Sequence, residues 1–222
     1  MGNKGGKPAT KPVKVLPNAT ASQRQQQKSG QTCTSITTCD SKTVVEQSSL
    51  QSNFIEACKI GDVDVAQKLL EDATVNVNQG TKTFGVTGLL YACQNGHLEI
   101  VTLLLNKARD TIDVNQTATT GIRASPLCIA CSHGHAKIVT VLLKMGDKID
   151  VNKSTETGGT ALMIAADRGH EDIVAKLLNR PDIDCNKTWT RNDGRQFTPL
   201  ERAADVGHNA IVELIRLHAE SN

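Results

Sequence analysis

The chain has 222 residues, 25 basic and 23 acidic, with 38% hydrophobic but only 2% aromatic side chains and seven cysteines. A core is attainable at this length but must be built from Leu, Ile, Val and Ala, which favours helices over a β-sandwich. No apolar run approaches the roughly 18 residues of a membrane span and residues 1–30 lack the apolar block of a secretory signal, so the odd cysteine count reads as reduced thiols in a cytosolic or nuclear compartment.

Residues 1–49 are rich in Lys, Gly, Pro, Ser, Thr and Gln. Such a segment buries too little surface to offset its ordering entropy, so it is expected to be a disordered tail. It is also basic. Residues 1–50 carry seven Lys/Arg against Asp40 and Glu46, net +5, whereas residues 51–222 carry 18 basic and 21 acidic residues, net −3. The opening "MGNKGGKP" places Gly2 where an N-myristoylation signal has its acceptor, although that signal wants Ser or Thr at position six and Gly6 stands there. Lys4, Lys7, Lys11 and Lys14 would supply the second, electrostatic signal that one acyl chain needs on an anionic membrane.

From Ser52 the chain repeats. The units are "SNFIEACKIGDVDVAQKLL", "TGLLYACQNGHLEIVTLLL", "SPLCIACSHGHAKIVTVLL", "TALMIAADRGHEDIVAKLL" and "TPLERAADVGHNAIVELIR", opening at residues 52, 87, 125, 160 and 198. A period of 35 to 38 residues means a stacked array. Ser52, Thr87, Ser125, Thr160 and Thr198 are placed to N-cap a first helix, and Pro126 and Pro199 follow at the first helical position. Nine residues after each cap comes Gly61, Gly96, Gly134, Gly169 or Gly207, suited to a left-handed helix terminus. A second helix follows with apolar pairs such as Ile100, Val101, Leu104 and Leu105. The closing Asn78, Asn115, Asn152 and Asn186 end each unit, and this accounts for three of the four Asn-x-Ser/Thr sequons, the fourth being at Asn18. Insertions fall in the loops, the longest of them between units four and five.

In register, these five copies resemble the ankyrin repeat, T-P-L-H-x-A-A-x-x-G-H-x-x-I-V-x-x-L-L, over residues 52–222. The resemblance implies an all-α solenoid of helix-turn-helix units with short β-hairpin fingers, here preceded by the tail, with an ankyrin repeat domain at 50–222 and repeats near 52–80, 81–116, 117–153, 154–187 and 188–222. The histidine after Pro-Leu is absent throughout, replaced by Ile55, Leu90, Cys128, Met163 and Glu201. Asp62 stands where the later units have a histidine after glycine. Glu56 and Arg202 replace the apolar Tyr91, Ile129 and Ile164 of the inner units, as expected of polar end caps.

The stretch "CIACSHGH", Cys128 to His135, reads as C-x-x-C-x-H-x-H and raises a metal site or redox dithiol. The repeat register answers otherwise. Cys131 takes the small-residue position held by Cys58 and Cys93, and His135 that of His97, His170 and His208. Zinc needs ligands converging at about 2.0–2.3 Å, which a helix followed by a reversing turn does not supply, so packing is the expectation. The chain has no phosphate-binding G-x-x-x-x-G-K-[ST], no dinucleotide G-x-G-x-x-G and no H-E-x-x-H. No catalytic residue, metal or cofactor is expected.

The resemblance implies protein binding, in an adaptor, scaffold or inhibitor, on a concave side made by first helices and finger tips. Position by position this gives Lys59, Gln94, Asn95, Ser132, His133, Asp167, Arg168 and Asp205 on the helices. On the fingers it gives Phe84, Ile122, Arg123, Glu156, Trp189, Arg191 and Arg195. Trp189 is either an interface anchor or folds back onto the neighbouring "STETGG" finger. The expected molecule is an intracellular monomer, cytoplasmic or nuclear, that binds one or more proteins, with the tail available to an anionic membrane. No specific nucleic-acid partner is expected, because no aromatic residue is interleaved with the tail's charges.

Overall fold

The hydroxyl caps set the register of the molecule. In the computed structural model, which describes residues 41–191 and 193–221, the Oγ atoms of Thr87, Ser125, Thr160 and Thr198 accept from the amides of Leu90, Cys128, Met163 and Glu201 at 3.2–3.3 Å. They open helices α3 (Gly88–Asn95), α5 (Pro126–Ser132), α7 (Ala161–Arg168) and α9 (Pro199–Val206). The glycines that follow have φ between 72° and 88°, the left-handed region, and turn the chain into α4 (Leu98–Lys107), α6 (Ala136–Leu143), α8 (Glu171–Leu178) and α10 (Asn209–Glu220).

Ser52 departs from this pattern. Helix α1 runs Ser41–Ile60, so Ser52 lies inside it and donates its hydroxyl back to the Ser48 carbonyl at 2.8 Å. No Gly or Pro interrupts 41–60, and the helix crosses the boundary expected between residues 49 and 50. Helix α2 (Val63–Leu70) completes the first unit. The rest of the expected disordered tail, and Gly2 with it, lies outside the described residues.

First helices stack on first helices and second on second, giving two rows with a shared apolar interior. Phe54, Leu89, Leu127 and Leu162 recur at one position of the first row, Ile100, Ile138, Ile173 and Ile211 at one position of the second, and all eight are at most 2% exposed. Burying a side chain of this size is worth roughly 1.5–3 kcal/mol. Of the described residues only Trp189–Thr190 (β1) and Gln196–Phe197 (β2) form strands, paired antiparallel with Trp189 opposite Phe197. Of the expected short β-hairpin fingers, this one carries a strand ladder among the described residues. The last inter-unit loop is the longest and has room for a ladder, whereas shorter fingers close on turn bonds, such as Thr155 N–H to Gly159 C=O and Gly158 N–H to Thr155 C=O, both at 3.0 Å.

The closing asparagines do more than end a unit. Asn78, Asn115 and Asn152 each donate to a carbonyl of the next unit, at Thr111, Lys148 and Asp182, over 2.6–2.8 Å. Their Oδ1 atoms accept the amides of Asp113, Asp150 and Asp184 at 2.8–2.9 Å. Each amide thus staples two neighbouring units, a role that reading them only as loop entries missed.

Candidate functional site

The glycine and histidine of adjacent units form the turn-side seam. A Cβ on Gly61, Gly96, Gly134 or Gly169 would meet the ring of His97, His135, His170 or His208 at 2.7–2.8 Å. His97 Nε2 bonds the Lys59 carbonyl at 2.9 Å, and His135 Nε2 the Gln94 carbonyl at 3.2 Å. The imidazole therefore fills the space that a glycine leaves in the preceding unit.

This geometry disposes of "CIACSHGH" side chain by side chain. Cys131 is fully buried. Cys128 Sγ donates to the Lys153 carbonyl at 3.6 Å, His133 Nδ1 bonds Ile129 O on its own helix at 3.0 Å, and His135 sits in the seam. Among the described residues no group of three or more Cys, His, Asp or Glu is placed to hold a metal. Burial pushes the Cys58 thiol up to about 12 and raises those of Cys93, Cys128 and Cys131 as well. A thiol held protonated is a poor nucleophile.

Between the third and fourth units the first helices and fingers enclose a groove of about 330 Å³. Its floor is apolar, with Cys128, Ile129, Met163 and Ile164. Ala124 and Ile122 form the wall on one finger, Thr157 and Trp189 that on the others, and Ser132, His133, Asp167 and Arg168 close the far rim. Ile122 is 71% exposed, although a residue of its type is ordinarily inside. Its neighbour Arg123 holds φ at 51°, the left-handed region, which costs a non-glycine residue about 1–2 kcal/mol. The finger backbone is thus committed to a conformation that leaves Ile122 outside the core.

Trp189 folds back onto the neighbouring finger. Its Nε1 donates to Thr157 Oγ1 at 3.1 Å and the Thr190 amide bonds the Thr157 carbonyl at 2.9 Å, so it does lie on the "STETGG" finger. It also remains half-exposed and lines the groove. The Arg202 guanidinium lies 5.5 Å from the Trp189 ring centre and 5.8 Å from that of Phe197. It is held by Asp167 and Asp205, both at 2.6 Å. Arg202 is therefore not the solvated cap residue its position suggested. It ties the fourth finger to the groove rim, and the sequence signal for it was an Arg with Asp205 three residues on along its own helix and Asp167 one repeat, 35 residues, before it.

Six of the residues expected to bind a partner, Ile122, Ser132, His133, Asp167, Arg168 and Trp189, thus meet at one groove. Arg123 and Glu156 flank it and pair at 3.6 Å. Arg191 and Arg195 lie on the fourth finger beside Asp193, at 3.8 and 2.9 Å. Asp205 reaches the rim through Arg202. Lys59, Gln94, Asn95 and Phe84 lie elsewhere, in the first two units. Lys59 pairs with Glu56 at 3.1 Å and lines a separate, more polar recess, and Asn95 Nδ2 caps the Lys59 carbonyl at 2.7 Å. Gln94 is exposed with its carbonyl in the seam, and Phe84 is 56% exposed at the first finger tip.

The family model described as "Ankyrin repeats (3 copies)" matches three overlapping stretches, residues 54–155, 112–189 and 149–222. Among curated proteins the chain is 40% identical, over 68 residues, to "Ankyrin repeat-containing protein ITN1" of Arabidopsis thaliana. That match covers 31% of this chain and 11% of the relative's length.

Proposed function

The chain belongs to the ankyrin-repeat family, whose members serve as protein-interaction modules, and on that premise we propose that it is a non-catalytic intracellular adaptor, scaffold or inhibitor that grips its partner at the groove between the third and fourth units. One observation carries this reading: an apolar floor, an outward Ile122 and a half-exposed Trp189 converge where the rim supplies His133, Asp167 and Arg168. Apolar anchors inside a polar rim are how interfaces concentrate their energy. The buried, protonated thiols support a binding role over a catalytic one.

The test uses the full chain as affinity bait in a lysate of its own cells, beside a variant carrying Ile129→Lys and Ile164→Lys that melts with the parent. Both side chains are only half-buried, so the variant is expected to fold. A captured protein should lose roughly thirtyfold in affinity, the equivalent of a hot-spot loss of about 2 kcal/mol. A partner held equally by both chains would move the interface off the groove.

A second reading adds a membrane anchor, on the strength of Gly2 and the four lysines behind it. Gly2→Ala should then release the protein from membranes, and salt should weaken what binding the lysines retain. An intact mass without an acyl chain, measured from eukaryotic cells, rejects it.

A further inference from the structure

Charge is segregated over the repeat body. The four finger segments, residues 79–86, 116–124, 153–159 and 187–197, carry Lys82, Arg123, Lys153, Lys187, Arg191 and Arg195 against Glu156 and Asp193, net +4. Of the 18 basic and 21 acidic residues in 51–222, this leaves 12 and 19 elsewhere, net −7. The acids on the finger side are already engaged. Asp167 and Asp205 hold Arg202, Asp193 holds Arg195 and Arg191, and Glu156 holds Arg123. Lys82, Lys153 and Lys187 have no acidic partner among the described residues, and Lys187 donates instead to the Asn152 carbonyl at 3.0 Å. The edge that overhangs the apolar groove therefore has uncompensated positive charge, and its negative charges are committed internally.

We infer that this finger edge recognises an acidic segment of a partner protein bearing one bulky apolar side chain, the side chain seated between Ile122 and Trp189 and the flanking carboxylates facing the basic fingers. The inference rests on the interaction role proposed above and names its partner chemistry. A basic segment would meet net repulsion along the edge. A nucleic acid fits less well. The floor of Ile129, Met163 and Ile164 would leave the polar edges of a base without hydrogen bonds. Trp189, for its part, turns its indole N–H to Thr157 and sits against the Arg202 guanidinium, which leaves it a poor stacking platform.

The test is selection of a random displayed peptide library on the immobilised full chain. Synthetic copies of the selected peptides are then titrated by fluorescence anisotropy. The expected winners carry several Asp or Glu around one Trp, Phe, Leu or Met. Their affinity should fall about thirtyfold in a variant carrying Arg123→Glu, Lys153→Glu and Arg195→Glu, each reversal being worth a few-fold at an exposed pair, and several-fold on raising salt to about 0.3 M. It should also fall with Ile129→Lys and Ile164→Lys. Neutral or basic winners, or acidic winners indifferent to the charge reversal, overturn the inference while groove dependence keeps the interaction role. Winners indifferent to the groove variant overturn both. A labelled single-stranded oligonucleotide or a second copy of the chain that displaces the peptides and binds more tightly overturns the acidic-segment assignment in favour of that occupant.

Discussion

The first unit and the four that follow are built on one template, yet they differ wherever the template asks for a preceding neighbour. Units two to five place a histidine after the glycine, and in each its ring packs on the glycine of the unit before. The first unit has no preceding unit among the described residues and uses Asp62, whose Oδ1 accepts the Val65 amide at 3.0 Å and N-caps α2. None of the four histidines makes such a cap. Likewise the Asn76 amide, equivalent to those of Asp113, Asp150 and Asp184, has no earlier closing asparagine to bond among the described residues. It finds Gln51 Oε1 at 3.0 Å, while Gln51 Nε2 donates to the carbonyls of Asn76 and Gln79. Val65, in register with the buried Ile100, is 39% exposed. Repeat positions are therefore set by the neighbour they touch, and a departure from the template marks a missing neighbour rather than a new chemistry.

The largest expected effect sharpens this comparison at the glycines. Gly169 and Gly207 both end first helices in the left-handed region, at φ 76° and 88°. A Cβ on Gly169 would meet the His208 ring at 2.7 Å, whereas one on Gly207 would meet nothing within 4 Å. Gly207→Ala should cost the backbone strain alone, about 1–2 kcal/mol. Gly169→Ala should cost that plus about 1–3 kcal/mol for displacing the imidazole. Thermal melts of the two variants decide it. Equal losses would show that the histidine seam carries no energy.

The ladder offers the next contrast. Asn152→Ala removes bonds of 2.6 and 2.8 Å between the fourth unit and its neighbour, a loss of about 2 kcal/mol. In a stacked array this should loosen the fourth and fifth units together, because each unit is stabilised by its neighbours. Gln51→Ala removes three bonds, but only between α1 and its own unit's loop. Its effect should be confined to faster amide exchange in α1 and near residues 76–79. Hydrogen exchange followed by mass spectrometry separates the outcomes, and a Gln51 variant that loosened units four and five would contradict the neighbour rule.

These contrasts explain what the sequence made legible. Four of five caps, every turn glycine and both helical rows follow from local chemistry and period, so they could be read directly. Ser52 misled because a cap is defined by the chain before it, and α1 already runs from Ser41. The asparagine ladder was hidden because both of its partners lie about 33 residues away, where no local rule operates. Trp189 was readable as an aromatic on a polar finger, but its joint attachment to Thr157 and Arg202 depends on how fingers and first helices stack. The groove itself is a property of that stacking. Its residues were individually on the expected face, and only the fold shows which of them meet.

The smallest expected effect concerns the fifth unit. Where the inner units bury Leu90, Cys128 or Met163 three residues after the cap, this unit has Glu201. Its Oε2 accepts from the Thr198 amide at 2.8 Å while Thr198 Oγ1 accepts from the Glu201 amide at 3.3 Å, a reciprocal capping box. Hydrogen bonds from the Thr198 backbone and hydroxyl hold the Glu201 carboxyl below its ordinary value. A carboxyl depressed in the folded state stabilises above its unfolded pKa, near 4.3, and that contribution is lost as pH falls through the lower folded value. Glu201→Gln keeps a side-chain acceptor at the same position but removes the charge, so the difference between parent and variant isolates the carboxylate. Asp182 and Asp193, also held low by their arginines, titrate in both chains and cancel. The parent should melt slightly above the variant near pH 6, and the gap should close as the pH is lowered to about 3. A gap that stays constant would assign the stabilisation to the shape of the side chain and not to its charge.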